Sequence, residues 1–395
     1  MSLPNARTCE SQPLQPDRHN PFTDLERDLA SLSALGRRRA LEGRAGLDFA
    51  SNDYLGLADC DELREATLDA VNRGVPVGAG GSRLLRGNHP EHEALEQCAA
   101  NFFGAPSALY FSTGYAANLT LFATAPQRGD LVIHDEYIHA SVHDGLRRGR
   151  AQVTSARHND AQAIDDAILA WRSTGGAGRP WIVIESVYSM DGDQPDLHEL
   201  NALAVRHEGV LVIDEAHATG VLGPSGRGKA AFLEGQEHVI TIHTCGKALG
   251  SVGALVCAPR VVKDFLVNRG RAFIFSTAPA PLAAAVTRAA LKLCAQSDAR
   301  RAQLRGLVRY ATFCAQRNCG LIGSGSHVLP VIVGEDRAAV ELAAALRKRG
   351  FDVRAIRPPT VPQGTARLRI AVTLNANEKA IHSLFENLSL AMSAR

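Results

Sequence analysis

The stretch Val239–Ile240–Thr241–Ile242–His243–Thr244–Cys245–Gly246–Lys247–Ala248–Leu249–Gly250 decides the fold. It opens on β-branched residues, which pack well on a pleated, half-buried surface, and so predicts a strand. It then breaks into small residues around one lysine. Further strands are predicted upstream at Ala108–Phe111, Leu131–His134, Trp181–Ile184 and Val210–Ile213. Their apolarity is continuous rather than alternating, as in strands covered on both faces. Amphipathic stretches lie between them; Leu197, Leu200 and Ala204 mark one helix. The last three strands begin about thirty residues apart, the length of a βαβ unit. The expected fold is α/β, with a large, mainly parallel sheet and helices on both faces. Gly253–Cys257 follows His243 too closely for a parallel crossover, so this strand is expected to run antiparallel.

Outward from that sheet the pattern changes. Leu25, Leu29, Leu32 and Leu35 recur at helical spacing, predicting a helix over Thr23–Leu41 capped by Thr23. The proline-rich opening residues read as a poorly ordered tail. Leu47–Leu57 reads as a short strand and a turn dense in Ser, Asn and Asp. From Pro281 helices are expected at Leu282–Cys294, Asp298–Arg317 and Asp336–Arg349, the last closed by Gly350. Strands are expected at Val328–Val333, Phe351–Ile356 and Arg367–Thr373, and a final helix ends this smaller α+β lobe. The division is an N-terminal segment 1–57, a large domain 58–280 and a small C-terminal domain 281–395.

Composition narrows the class. The formal net charge is +2, with 45% hydrophobic and 21% charged residues, an ordinary soluble balance. Neither nucleic acid nor a membrane is expected as a partner. The eight cysteines are scattered with no C-x-x-C pair, which predicts free thiols in a reducing cytoplasm. No apolar leader segment is visible.

Ligands of open α/β sheets sit beyond the carboxyl ends of the strands. Phe111 leads into Ser112–Thr113–Gly114–Tyr115–Ala116–Ala117–Asn118, a glycine turn opening a helix, where backbone N–H groups can hold a phosphate. Ile184 leads into Glu185 through Asp193. Ile213 leads into Asp214–Glu215–Ala216–His217, and Ile242 into Thr244 and Lys247. Asp214 can keep a heteroaromatic ring nitrogen protonated, and His217 can bond a ring substituent. A desolvated lysine amine is a usable nucleophile for carbonyls, the chemistry of pyridoxal phosphate (PLP) enzymes. Taken singly, Asp214 reads equally well as a helix cap and Lys247 as a solvated loop residue. Their convergence at neighbouring strand ends favours the cofactor reading. In the small lobe, alternation puts Arg367 and Arg369 on one face, suited to a substrate carboxylate if that face looks into the cleft.

Three other patterns are weaker. Gly78–Ala79–Gly80–Gly81–Ser82 lacks the third glycine of a dinucleotide loop. Gly223–Pro224–Ser225–Gly226–Arg227–Gly228–Lys229 fits the first seven positions of a Walker A loop, but Ala230 replaces the Ser or Thr that holds magnesium. His134, His139 and His143 have no zinc-site spacing, so no metal is expected, and His139 is better used as a flat ring stacked on another.

The run of Ser51–Asn52–Asp53–Tyr54–Leu55–Gly56–Leu57, Gly80–Gly81–Ser82–Arg83, Ser112–Thr113–Gly114–Tyr115, Ser189–Met190–Asp191–Gly192–Asp193, Asp214–Glu215–Ala216–His217, Thr244–Cys245–Gly246–Lys247 and Phe275–Ser276–Thr277 resembles the α-oxoamine synthases. These are PLP-dependent acyltransferases of fold type I. The resemblance spans nearly the whole chain. It implies that Lys247 carries PLP and moves the α-proton, that Asp214 pairs with the pyridine nitrogen, and that Ser189 and His217 contact its hydroxyl side. His139 would stack on the ring. Gly114, Tyr115 and Thr244 would bind cofactor and phosphate, and Ser276 and Thr277 would reach the phosphate of the partner in a homodimer with shared sites. Asn52 and Arg369 would hold the amino-acid carboxylate, and Arg37 and Thr360 would face the acyl group. Ala355–Ile356–Arg357–Pro358–Pro359–Thr360–Val361–Pro362 and Gly364–Thr365–Ala366–Arg367–Leu368–Arg369 resemble the members that join L-alanine to pimeloyl-CoA, or a pimeloyl carrier-protein thioester, in biotin synthesis. Sister enzymes use glycine or serine with another acyl-CoA. Ala218, Glu215 and Ala79 depart from the family pattern at positions without a named role.

Overall fold

The computed structural model describes residues 20–393. The tail expected over the opening residues, with Cys9, lies outside them. The strands are β1 Leu47–Asp48, β2 Ser107–Phe111, β3 Leu131–Asp135, β4 Gln152–Ala156, β5 Pro180–Glu185, β6 Val210–Asp214, β7 Val239–Thr244, β8 Ala254–Ala258, β9 Val328–Gly334, β10 Phe351–Asp352, β11 Arg354–Ile356 and β12 Ala366–Ala371. Seven of them form one sheet in the order β2-β8-β7-β6-β5-β3-β4. Pairing is parallel from β7 through β6, β5 and β3 to β4. β8 runs antiparallel to both β2 and β7, as its short connection requires.

Continuous apolar strands are explained by burial on both faces. Val132, Val183, Val212 and Ile240 pack with Ala117, Leu121, Val142, Leu146 and Leu266 from helices Gly114–Thr124, Ala140–Arg148 and Arg260–Arg269. Ile133, Ile182 and Ile213 pack the other way, against Ile164, Ile168 and Leu200 from helices Ala161–Ser173 and Leu197–Arg206. Each such aliphatic side chain contributes roughly 1.5–3 kcal/mol by leaving water. A third cluster runs from Tyr110 and Leu255 through Leu95 and Leu291 to Leu368 and Ile370 of β12. It joins the large sheet to the antiparallel β11-β12-β9 sheet of the C-terminal part. β1 pairs in parallel with β10 through Leu47–Phe351 and Asp48–Asp352, so the N-terminal segment is bound to the C-terminal end of the chain.

Several expectations need correction. The helix from Thr23 stops at Ala34, not Leu41: Gly36 turns left-handed at φ 67°, and Arg37 N–H and Arg38 N–H bond back to the Leu32 carbonyl. Thr23 is not its cap; Phe22 holds that position, and the Thr23 hydroxyl donates to the Asn20 carbonyl. β4 was not expected. It is a largely exposed edge strand of polar residues, and without an apolar run it leaves no signal. Phe351–Ile356 is two strands, because the chain turns at Val353 and passes from β1 to β12 as partner. No helix among the described residues is long and apolar enough to cross a membrane, and the described cysteines are free thiols.

Candidate active site

A cleft of about 340 Å³ opens where the parallel strands end and antiparallel β8 begins. Five strand ends and one N-terminal segment bring side chains to it. β2 delivers Thr113 and Gly114, β3 His139, β5 Glu185, β6 Asp214 and His217, β7 Thr244 and Lys247, and the segment after β1 delivers Asn52. Register explains part of this: Glu185 lies directly opposite Asp214, and Asp214 opposite Ile242, so side chains of one parity meet at one edge.

Asp214 is buried and held from two sides. Its carboxylate accepts from Ala216 N–H at 3.0 Å and from Asn118 Nδ2 at 2.9 Å. Asn118 gives its other amide proton to Ser141 Oγ at 3.0 Å, and that hydroxyl lies 2.7 Å from His139 Nδ1. One amide thus couples the carboxylate to the imidazole. The cap reading of Asp214 is partly realised through Ala216, yet the carboxylate also faces the cleft.

Burial pulls the Lys247 amine below its ordinary value, and Arg369 adds to the effect against the opposing charges of Asp214 and Glu185. The amine is therefore closer to nucleophilic than a surface lysine. Burial also holds His139 below the usual histidine range, and His217 well below it, so both rings are neutral. His217 Nδ1 sits 2.6 Å from Tyr54 Oη.

Glu185 is a buried carboxyl raised to about 8, first by burial and then by the Asp214 charge. Its Oε2 accepts from Ser189 N–H at 3.1 Å, and its Oε1 has no partner. This carries a stability consequence. Below the unfolded value, near 4.5, glutamate is protonated in both states and nothing is lost. As pH rises towards 8 the unfolded chain releases the proton while the folded one keeps it, so the folded state is progressively disfavoured. Glu185→Gln in the cofactor-free protein is expected to remove that loss. Its gain in unfolding free energy over the parent should grow from near zero at pH 4.5 to on the order of a few kcal/mol at pH 8. Urea midpoints at both pH values measure it, and a gap that does not widen with pH refutes it.

Other expected residues lie in different places. Arg369 is buried, its Nε donating to the Ser189 carbonyl at 2.6 Å and its Nη2 to Tyr54 Oη at 3.3 Å. Its face of β12 therefore looks onto the large domain, and neighbouring Arg367 is paired with Asp191. Tyr115 lines the cleft with its hydroxyl bonded to Asp144. Ser276 and Thr277 are exposed and do not line this cleft. Neither do Thr360 and Arg37. Thr360 takes a 3.3 Å bond from Arg39, and Arg37 is paired with Asp336 at 2.6 Å. Asn118, Glu185 and Tyr54 have no role in the sequence reading. Glu185 had a signal, as the strand-end neighbour of Asp214, and Tyr54 lay inside a quoted motif. Asn118 closed the quoted glycine-turn run, but nothing in the sequence pointed its amide at Asp214.

The weaker patterns resolve physically. The Walker-like loop is already filled: the Glu215 carboxylate accepts Lys229 N–H and Ala230 N–H, each at 2.8 Å, and Lys229 Nζ donates to the Pro195 carbonyl. A phosphate would find those donors taken. The three histidines do not converge on a metal, His134 Nδ1 being bonded to its neighbour's carbonyl. No metal-binding group of three or more His, Cys, Asp or Glu occurs among the described residues.

The residues present fit PLP. A lowered amine, a fixed carboxylate, a neutral imidazole and a helix start line one cavity. Gly114 is held close at that helix start; a Cβ there would lie 2.6 Å from Thr244 Cγ2. The unpartnered Glu185 oxygen and Asn118 Oδ1 are buried polar atoms beside the same groups.

Comparison with known proteins agrees with this geometry. Residues 44–384 match the family described as Aminotransferase class I and II. The chain is similar to an 8-amino-7-oxononanoate synthase of Burkholderia pseudomallei (strain 1710b), 42% identical over 375 residues, covering 90% of this chain and 94% of that one. Relatives from Anaeromyxobacter dehalogenans and Chromobacterium violaceum, 41% and 40% identical, carry the same name. Among solved structures, a serine palmitoyltransferase from S. paucimobilis with PLP and myriocin bound aligns with a TM-score of 0.85 at 25% identity, over 96% of this chain and 99% of that one. An 8-amino-7-oxononanoate synthase from Francisella tularensis aligns with a TM-score of 0.75 at 26% identity, over 88% and 98%.

Proposed function

Because the chain belongs to the class I and II aminotransferase family, in its PLP-dependent fold type I branch with the 8-amino-7-oxononanoate synthases, we propose that it condenses L-alanine with a pimeloyl thioester in biotin synthesis. Alanine and pimeloyl-CoA give 8-amino-7-oxononanoate, free CoA and carbon dioxide. The observation that carries this reading is the meeting of Lys247, Asp214, His139 and Asn52 in one cleft, with Arg369 of the C-terminal sheet bonded to Tyr54 behind it.

Bound PLP supplies an electron sink for negative charge developing at the α-carbon of an amino acid. The protein's own groups do the rest. Lys247 would anchor the cofactor aldehyde, and its amine, lowered by burial, would then take the α-proton. The Asp214 carboxylate, which Asn118 and Ala216 hold in place, would keep the pyridine nitrogen protonated. His139 would stack on the ring. Asn52 and Arg369 would fix the substrate carboxylate and so orient the bonds to be broken.

The exposed Phe275–Ser276–Thr277 turn, outside its own chain's cleft, supports a two-fold dimer in which this turn reaches the partner's cofactor phosphate. Thr360 and one of Arg37–Arg39 are assigned to the acyl side on the resemblance alone; the Arg37–Asp336 pair favours Arg38, or Arg39 with its bond to Thr360, for that contact. The site is read as cytoplasmic.

The test is carboxyl-labelled alanine with pimeloyl-CoA. Labelled carbon dioxide and CoA should be released in equal amounts. No labelled carbon dioxide, with good turnover of glycine or serine and another acyl-CoA, would transfer the chain to a sister activity, a reading favoured by the serine palmitoyltransferase likeness alone.

A further inference from the structure

Tyr54 lies under the site, fully buried, with its ring edge against His327 at 4.1 Å. Its single hydroxyl oxygen meets three polar groups from three separate parts of the chain. Asn52 Oδ1 is 3.0 Å away, His217 Nδ1 2.6 Å and Arg369 Nη2 3.3 Å. A phenol oxygen has one proton to give and two lone pairs to share. Arg369 only donates. Asn52 presents its carbonyl oxygen, which only accepts and so takes the phenol proton. The third contact must then be a donor, and His217 satisfies it only with its proton on Nδ1.

We infer that Tyr54 is a positioning residue whose hydroxyl fixes three neighbours at once. It holds His217 as the Nδ1–H tautomer, so that Nε2 offers a lone pair to the cleft. It turns the Asn52 amide so that its NH2 group faces the substrate. It steadies the Arg369 guanidinium, which the Ser189 carbonyl holds from the other side. The opposite histidine tautomer would set the Tyr54 and Asn52 oxygens 3.0 Å apart with no proton between them. Burial keeps the phenol above its ordinary value, so the oxygen retains the proton this arrangement needs. His217 is neutral from the same cause, which leaves the tautomer as its open variable.

The substrate part of this inference rests on the proposed alanine chemistry; the tautomer part does not. The full chain labelled with ¹⁵N-histidine is therefore examined with and without added PLP. The His217 ring signals are identified by their loss in His217→Gln. A proton on Nδ1 and a bare Nε2 are expected, and a proton on Nε2 overturns the inference without any variant being needed. Tyr54→Phe is expected to shift His217 towards the other tautomer. It should also weaken alanine binding to the PLP-loaded protein about 10-fold or more, read from the cofactor absorbance, because a bond to a charged group is lost. PLP affinity should change by less than about threefold. Equal losses for alanine and PLP would mean that Tyr54 only supports the fold, and the inference would fall. A chain with the Nδ1–H tautomer that consumes no alanine would leave the inference standing and remove the proposed activity.

Discussion

Replacing Lys247 by alanine is expected to lower turnover by on the order of 10⁴-fold, since in the proposed mechanism one side chain is both cofactor anchor and proton carrier. The loop around it argues that the loss is chemical rather than structural. The turn is held by its backbone: Gly250 N–H reaches the Lys247 carbonyl, and Ser251 N–H the Cys245 carbonyl. The alanine variant should fold with an unchanged circular dichroism spectrum. It should give no borohydride-fixed adduct with PLP, where the parent gives one at position 247. CoA release from alanine and pimeloyl-CoA measures the rate. A fall of less than about tenfold would remove Lys247 from proton transfer.

Asp214→Ala is the second large effect. The carboxylate is a fixed negative charge in a site with little water, where such charges act most strongly. Its removal is expected to lower turnover by on the order of 10²–10³-fold and to weaken PLP binding. Two donors, Asn118 Nδ2 and Ala216 N–H, lose their acceptor at the same time, so a stability loss of about 1–3 kcal/mol should accompany it. Asp214→Asn separates the two contributions. It keeps an acceptor for Ala216 and restores much of the stability, while activity stays low because the charge is gone. Equal rescue of both by asparagine would assign Asp214 to the turn alone.

The large sheet was readable because each of its inner strands carries a continuous apolar run, and two-sided burial leaves few other readings of Val210–Ile213 or Val239–Ile242. The antiparallel course of β8 followed from connection length. β4 was invisible for the opposite reason: an exposed edge strand gains little from apolar side chains. The helix over Thr23–Ala34 buries none of its side chains, so leucine spacing fitted its face but could not find its end, which Gly36 sets by backbone geometry. In the site, groups at strand ends were legible one by one. What could not be read were bonds across distant segments. Asn118 lies inside a helix, and its bond to Asp214 depends on how that helix crosses the sheet. Likewise the bonds of Arg369 to Ser189 and Tyr54 depend on how β12 lies against the large sheet.

That last contact is completed late in synthesis. The groups proposed to grip the ring lie between Gly114 and Lys247, whereas β12, with Arg369, leaves the ribosome near the end of translation. Until β12 is made, Leu368 and Ile370 are missing from the core that joins the two sheets, and Ser189 and Tyr54 lack the guanidinium that bonds them. The final strand thus closes the core and completes the bonds behind the cleft at the same moment.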